Sequence, residues 1–145
     1  MKKYLKFLLV AFVATMTLSL SSCKSDDDEP STGSIVGSWQ VESSVNEVME
    51  SEQYLQFRSD GTFYEVINYT DEIFGSMLGT VYDEGTWSLS GNNLKVSVKN
   101  DLTVKKVTST ELVLEENVMG YTVEVKCKKV SDEIVNELLE NATLM

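Results

Sequence analysis

Gly85-Thr86-Trp87-Ser88-Leu89-Ser90-Gly91-Asn92-Asn93-Leu94-Lys95-Val96-Ser97-Val98-Lys99 holds two strands and the turn between them. Trp87 and Leu89 fall on one side of the first strand. In the second, Leu94, Val96 and Val98 alternate with Lys95, Ser97 and Lys99. Successive side chains of a strand point to opposite faces, so this period of two describes strands with one face buried and one in water. Gly91-Asn92-Asn93 supplies residues that tolerate the backbone of a tight turn.

The same pattern extends in both directions. Upstream, Val36 to Val45 puts Trp39, Val41 and Val45 on one face, and Tyr54 to Arg58 offers Leu55 and Phe57. After the turn signal Ser59-Asp60-Gly61, Thr62 to Tyr69 carries Phe63, Ile67 and Tyr69 against Tyr64 and Val66. Val81 to Leu89 is the fourth strand. Downstream, Asn100-Asp101 turns into Leu102 and Val104, and Glu111 to Glu116 pairs Leu112 with Leu114. Tyr121 to Val130 alternates Tyr121, Val123, Val125 and Cys127 with Glu124, Lys126 and Lys128. Eight strands with short connections suit consecutive antiparallel hairpins. Such a sheet can close on itself and so lose its sticky edges. A two-sheet sandwich fits the same strand count.

The period changes after Val130. Ser131-Asp132-Glu133 offers a hydroxyl cap and acids for a first helical turn. Ile134, Val135, Leu138 and Leu139 then share a helical face. The expected helix, Asp132 to Asn141, lies on the outside of the sheet.

The N-terminal part has another character. Lys2, Lys3 and Lys6 precede an apolar run, Phe7 to Leu20, which is short of the roughly 20 residues of a membrane-spanning helix. With the small residues Ser21 and Ser22 before Cys23, residues 1–22 read as a signal peptide that is removed. Residues 23–34 read as an acidic, disordered linker. It contains Asp26-Asp27-Asp28-Glu29 and Pro30, the one proline, and its roughly ten residues from Ser25 to Ser34 could reach ~35 Å when extended. Residues 35–145 are then the folded domain. Three of the 12 basic residues leave with the signal and all 23 acidic ones stay, so the remainder carries a net charge of −14. Such a surface repels phosphate backbones and argues against a nucleic-acid partner.

Three resemblances attach to these residues. Leu20-Ser21-Ser22-Cys23 resembles the lipobox of bacterial lipoproteins. This implies palmitate-type acylation of Cys23 and a membrane held through its lipid, since two or more acyl chains make a stable anchor. Lys24 after the cysteine implies the outer membrane. The Asp26–Glu29 run resembles the surface-export signal of Bacteroidetes-type lipoproteins and implies cell-surface exposure. Gly37-Ser38-Trp39, Phe57-Arg58-Ser59-Asp60-Gly61-Thr62-Phe63 and Gly85-Thr86-Trp87 resemble, in that order, the motifs of lipocalin-like lipoproteins of the Bacteroidetes type. The implied fold is all-β: an eight-stranded antiparallel up-and-down lipocalin-like barrel with a short C-terminal α-helix. Typical lipocalins pack an arginine of the last strand over the first-strand tryptophan. Arg58 is the only arginine here, so Lys126, Lys128 or Lys129 would stand in without the planar fork.

Much chemistry is excluded. With no histidine there is no Ser-His-Asp or Cys-His catalysis and no usual zinc set. Cys127, the one thiol left unacylated, cannot form an internal disulfide, and its parity makes it a buried structural thiol. Glycine follows no phosphate-cradling pattern, and the Asp26–Asp28 run lacks the spacing of a calcium loop. No metal or other cofactor is expected. Glu65 and Asp83 share the parity of apolar neighbours, and a pair of inward acids is the minimum for glycosidase chemistry. Aromatics offer the stronger lead. Tyr64, Tyr69, Phe74, Met77, Tyr82 and Trp87 are the candidate ligand-binding residues, through stacking on an apolar or glycan-like ligand at a barrel mouth. The ordinary alternative is that the rings are core. Ile73-Phe74-Gly75-Ser76-Met77-Leu78 is apolar where a loop is expected, which suits a lid, a loop for docking a protein partner, or an inward-folded turn. The function expected is non-enzymatic binding of a small ligand, with a protein-interaction module as the alternative.

Overall fold

The computed structural model describes residues 32–42 and 50–145. The signal segment, Cys23, the linker as far as residue 31, and Val45 of the first expected strand lie outside the described residues.

A short turn of helix, α1 (Thr32–Ile35), leads into β1 (Gly37–Val41), β2 (Ser51–Phe57) and β3 (Thr62–Tyr69). After one helical turn, α2 (Phe74–Met77), follow β4 (Thr80–Ser90), β5 (Asn93–Val96), β6 (Leu102–Val107), β7 (Glu111–Val118) and β8 (Tyr121–Val130). Helix α3 (Asp132–Glu140) and a two-residue strand, β9 (Thr143–Leu144), end the chain. Neighbouring strands β1 to β8 pair antiparallel in sequence order, and β8 returns to β1, with Trp39 opposite Lys129 and Val41 opposite Cys127. The result is a closed eight-stranded antiparallel barrel with a short C-terminal helix. It is a barrel rather than a sandwich because the β1–β8 ladder joins the first strand to the last.

Parity decides the core. Trp39, Leu55, Phe57, Phe63, Trp87, Leu94, Val96, Leu102, Val104, Leu112, Leu114 and Cys127 are all buried inside. On the outer wall, Tyr54 and Val66 are buried under Val135 of α3, with Tyr64, Tyr82, Leu138 and Leu139 packed around them. The helix is seated by polar contacts as well. Ser131 caps it by accepting from Glu133 N–H, Ser38 Oγ donates to Asp132 at 2.7 Å, and Gln56 Nε2 donates to Asn136 Oδ1 at 3.1 Å. Ile134 departs from expectation. It is 43 % exposed, because the face that meets the curved wall is narrow and centred on Val135.

Two strands also differ from the sequence reading. β5 stops at Val96, and residues 97–99 turn away instead of continuing the alternation through Val98. At the start of β8, Tyr121 is exposed, because the β7–β8 hairpin runs past the end of the barrel, while Val123, partly exposed, lines the open end. β5 pairs with only the last four residues of β4, so the first half of β4 needs another neighbour. β9 pairs in parallel with Val81 and Tyr82 and covers part of that edge.

Candidate ligand cavity

The two ends of the barrel are built differently. One end, where β1 begins and the β2–β3 turn lies, is packed solid. Phe57 and Phe63 sit with ring centroids 5.1 Å apart, and Trp87 meets Phe57 edge-on at 5.4 Å. Trp39 Nε1 donates to Ile35 O at 2.9 Å, and Trp87 Nε1 donates to Arg58 O at 2.9 Å. Each buried indole thus has its one donor satisfied. Lys129 lies across this end with its Nζ 4.4 Å from the centre of the Trp39 ring, and donates to Val36 O at 2.8 Å. Of the three lysines considered, Lys129 therefore takes the place of the arginine of typical lipocalins. Burial lowers the pKa of its ammonium, and the nearby Asp132 carboxylate works the other way. Gly37 makes room for it. Its φ of +132° disfavours other residues, and an added Cβ would fall 2.0 Å from Lys129 Nζ.

The opposite end encloses a cavity of about 260 Å³. Val41, Leu55, Ile67, Leu102, Leu114, Val123 and Val125 form its apolar wall. Its polar groups are Ser51, Gln53, Tyr69, Lys99, Glu116 and Glu124. This is slightly below the ~300 Å³ at which drug-sized sites begin, so the space suits a small ligand. The 97–99 turn shapes it. Gly85 has no side chain, and an added Cβ would lie 2.5 Å from Ser97 Oγ, so the turn packs directly on β4. Ser97 N–H donates to Thr86 O, and Ser97 Oγ accepts from Thr86 N–H, both at 2.9 Å. The turn delivers Lys99 inside, where its Nζ lies 2.8 Å from Glu65 Oε1. Gln53 Nε2 donates to the same oxygen. Asp83 faces Glu65 across β3 and β4 and is half-buried. The expected inward direction of both acids therefore holds.

The six residues singled out for ligand contact separate into distinct places. Tyr69 lines the cavity, and Phe74 packs on it with ring centroids 6.4 Å apart. Met77 is exposed on the β3–β4 connection above them. Tyr64 and Tyr82 are on the outer wall, 6.1 Å apart under α3, and Arg58 covers the Tyr64 ring at 4.4 Å. Trp87 belongs to the packed end. In the 71–78 segment only Phe74 turns towards the barrel. Ile73, Met77 and Leu78 face solvent, so an inward-folded turn describes Phe74 alone. The aliphatic wall and Lys99 were not among the candidates. Alternating valines and leucines look the same at both ends of a barrel, and Lys99 occupied the polar parity of a strand that stops short of it.

Cys127 is fully buried and its thiol is pushed up to about 12, chiefly by desolvation, so it is a protonated packing group. A wider trough of about 740 Å³ lies outside, between α3 and the β2–β3 turn. Three of its polar groups bond one another: Arg58 Nε donates to Gln56 Oε1 at 2.9 Å, and Gln56 Nε2 donates to Asn136 Oδ1 at 3.1 Å. The trough is a helix seat in which Gln56, Arg58 and Asn136 are already engaged with one another, whereas the internal cavity has a mainly aliphatic wall. The internal cavity is therefore the stronger candidate.

Residues 35–114, just over half of the chain, match the family described as Lipocalin-like domain. A search of curated proteins returns no match. The matched span contains all three motif segments, and these build the packed end of the barrel: Trp39, the Phe57–Phe63 turn and Trp87. With its strands closed in sequence order around that end, the chain belongs to the lipocalin-like domain family.

Proposed function

We propose that this protein binds a small apolar or glycan-like ligand, without turning it over, in the barrel cavity beneath Tyr69. The observation that carries this reading is the contrast between the two ends: one filled by four large rings, the other walled by aliphatics around a space. Glu65 and Asp83 face each other, but Glu65 is engaged by Lys99 and Gln53. A carboxylate held in an ion pair is poorly suited to shuttling protons, which favours binding over catalysis. The test is titration of the purified chain with a naphthalene-class fluorophore. Ile67→Trp, at a half-buried wall position, should fill the space and weaken probe binding at least tenfold. Its thermal midpoint should stay within a few degrees of wild type. An unaltered affinity in the variant would place the probe elsewhere and sink the reading.

The same proposal places the protein in the outer membrane, exposed at the cell surface and held by lipid on Cys23. Residue order supports it: basic start, apolar run, Leu20-Ser21-Ser22-Cys23, then an acidic spacer. Cys23→Ala should abolish incorporation of labelled palmitate and release the protein from membranes. Labelling that persists in the variant would refute the anchor.

A protein-interaction role has one observation in its favour. Ile73, Met77 and Leu78 on the β3–β4 connection, and Val118, Met119 and Tyr121 on the β7–β8 hairpin, are exposed at the cavity end. Exposed apolar groups clustered this way suit a partner surface. Met77→Glu with Met119→Glu should then abolish recovery of a partner from envelope extracts.

A further inference from the structure

The charges of the cavity end say more about what fits there than its shape does. Resting on the cavity reading above, we propose that the site selects small apolar molecules bearing an ammonium group over equivalents bearing a carboxylate. Among the described residues, Glu65, Asp83 and Glu116 hold inward positions at this end, Glu124 also lines the cavity, and Lys99 is the one basic residue in the lining. Lys99 is already committed: Glu65 holds it at 2.8 Å, with a side chain only 20 % exposed. An incoming carboxylate could use this ammonium only by displacing Glu65, which would leave that buried acid without its ion-pair partner, opposite Asp83 and held by Gln53 alone. Glu116 lines the cavity, and its contact is with Asn100 Nδ2 at 3.5 Å, a weak and neutral one. It remains a carboxylate at the wall that an ammonium can approach. Tyr69, also in the lining and backed by Phe74, offers a ring face to the same cation. Glu124, which also lines the cavity, is paired with Lys126 at 3.9 Å, and the pairs Lys105–Glu115 and Lys106–Glu111 belong to the outer parity of their strands and leave this balance as it is. The ligand is thus a compact apolar body with a cationic end, set with its body among Leu55, Leu102 and Leu114 and its charge towards Glu116.

Three probes of one shape separate the possibilities: 2-phenylethylammonium, 3-phenylpropionate and 2-phenylethanol, each titrated into the purified full chain by nuclear magnetic resonance. The ammonium compound should bind at least tenfold more tightly than the carboxylate. Glu116→Gln should reduce that ratio at least threefold, and raised salt should reduce it as well. Equal affinities, or a preference for the carboxylate, would overturn the proposal while binding of 2-phenylethanol kept the cavity itself in place. Failure of all three probes to bind would overturn the cavity reading and the proposal with it.

Discussion

Lys99→Met should destabilise the barrel by about 2–3 kcal/mol, because it strands the Glu65 carboxylate inside. The figure is at the lower edge of what breaking a buried ion pair costs, since Lys99 keeps some contact with water and Gln53 still donates to Glu65. Lys99→Met combined with Glu65→Leu should recover most of that loss. Two apolar groups remove the desolvation of two charges together, and such replacements are often neutral or better. Urea unfolding of the single and double variants measures both. If the double variant were as unstable as Lys99→Met alone, the lost stability would belong to the packing of the 97–99 turn on Gly85 and not to the stranded charge.

The second large effect is expected at Gly37. Gly37→Ala forces a side chain onto a backbone at φ +132°, a strain of about 1–3 kcal/mol, and pushes Lys129 off the Trp39 ring. The contact above Trp39 is partly open to solvent, so it contributes about 0.5–1 kcal/mol, with the bond to Val36 O adding a similar amount. We expect Gly37→Ala to cost about 2–5 kcal/mol in total. Lys129→Met should cost about 1 kcal/mol in the native background and close to nothing beside Gly37→Ala, where the ammonium is already displaced. Additive losses in the double variant would mean that Gly37 and Lys129 act independently, contrary to the geometry.

Both predictions bear on how the sequence encodes this molecule. The strands were legible because alternation is local. Trp39, Phe57, Phe63 and Trp87 each fall on the buried parity, and short turns set the register of β2 on β3, β4 on β5 and β7 on β8. The helix was legible for the same reason, through the Ser131 cap and the apolar face on Val135. Closure into a barrel was legible only as one of two options, since the β1–β8 ladder joins residues 38–41 to residues 127–130 and no local pattern announces it. The site was harder still. Aromatic residues drew attention, yet Tyr64 and Tyr82 anchor α3 and Trp87 fills the packed end. The cavity instead depends on where side chains are small or aliphatic. Lys99 enters it because Gly85, fourteen residues earlier, has no side chain to keep the 97–99 turn away. That contact is tertiary and leaves no mark in the periodicity. Likewise, the motifs that reveal the family describe the packed end, which carries the fold, and are silent about the end that would carry a ligand.

The most direct test follows the methyl groups of the two ends by nuclear magnetic resonance during titration with 2-phenylethanol or a naphthalene probe. Ligand held in the cavity predicts shifts confined to Leu55, Ile67, Leu102, Leu114 and Val125 and their immediate neighbours, with Val107 and Leu112 of the packed end unmoved. Shifts confined to Leu138 and Leu139 in the trough beside α3, or no shifts at millimolar probe, would contradict it.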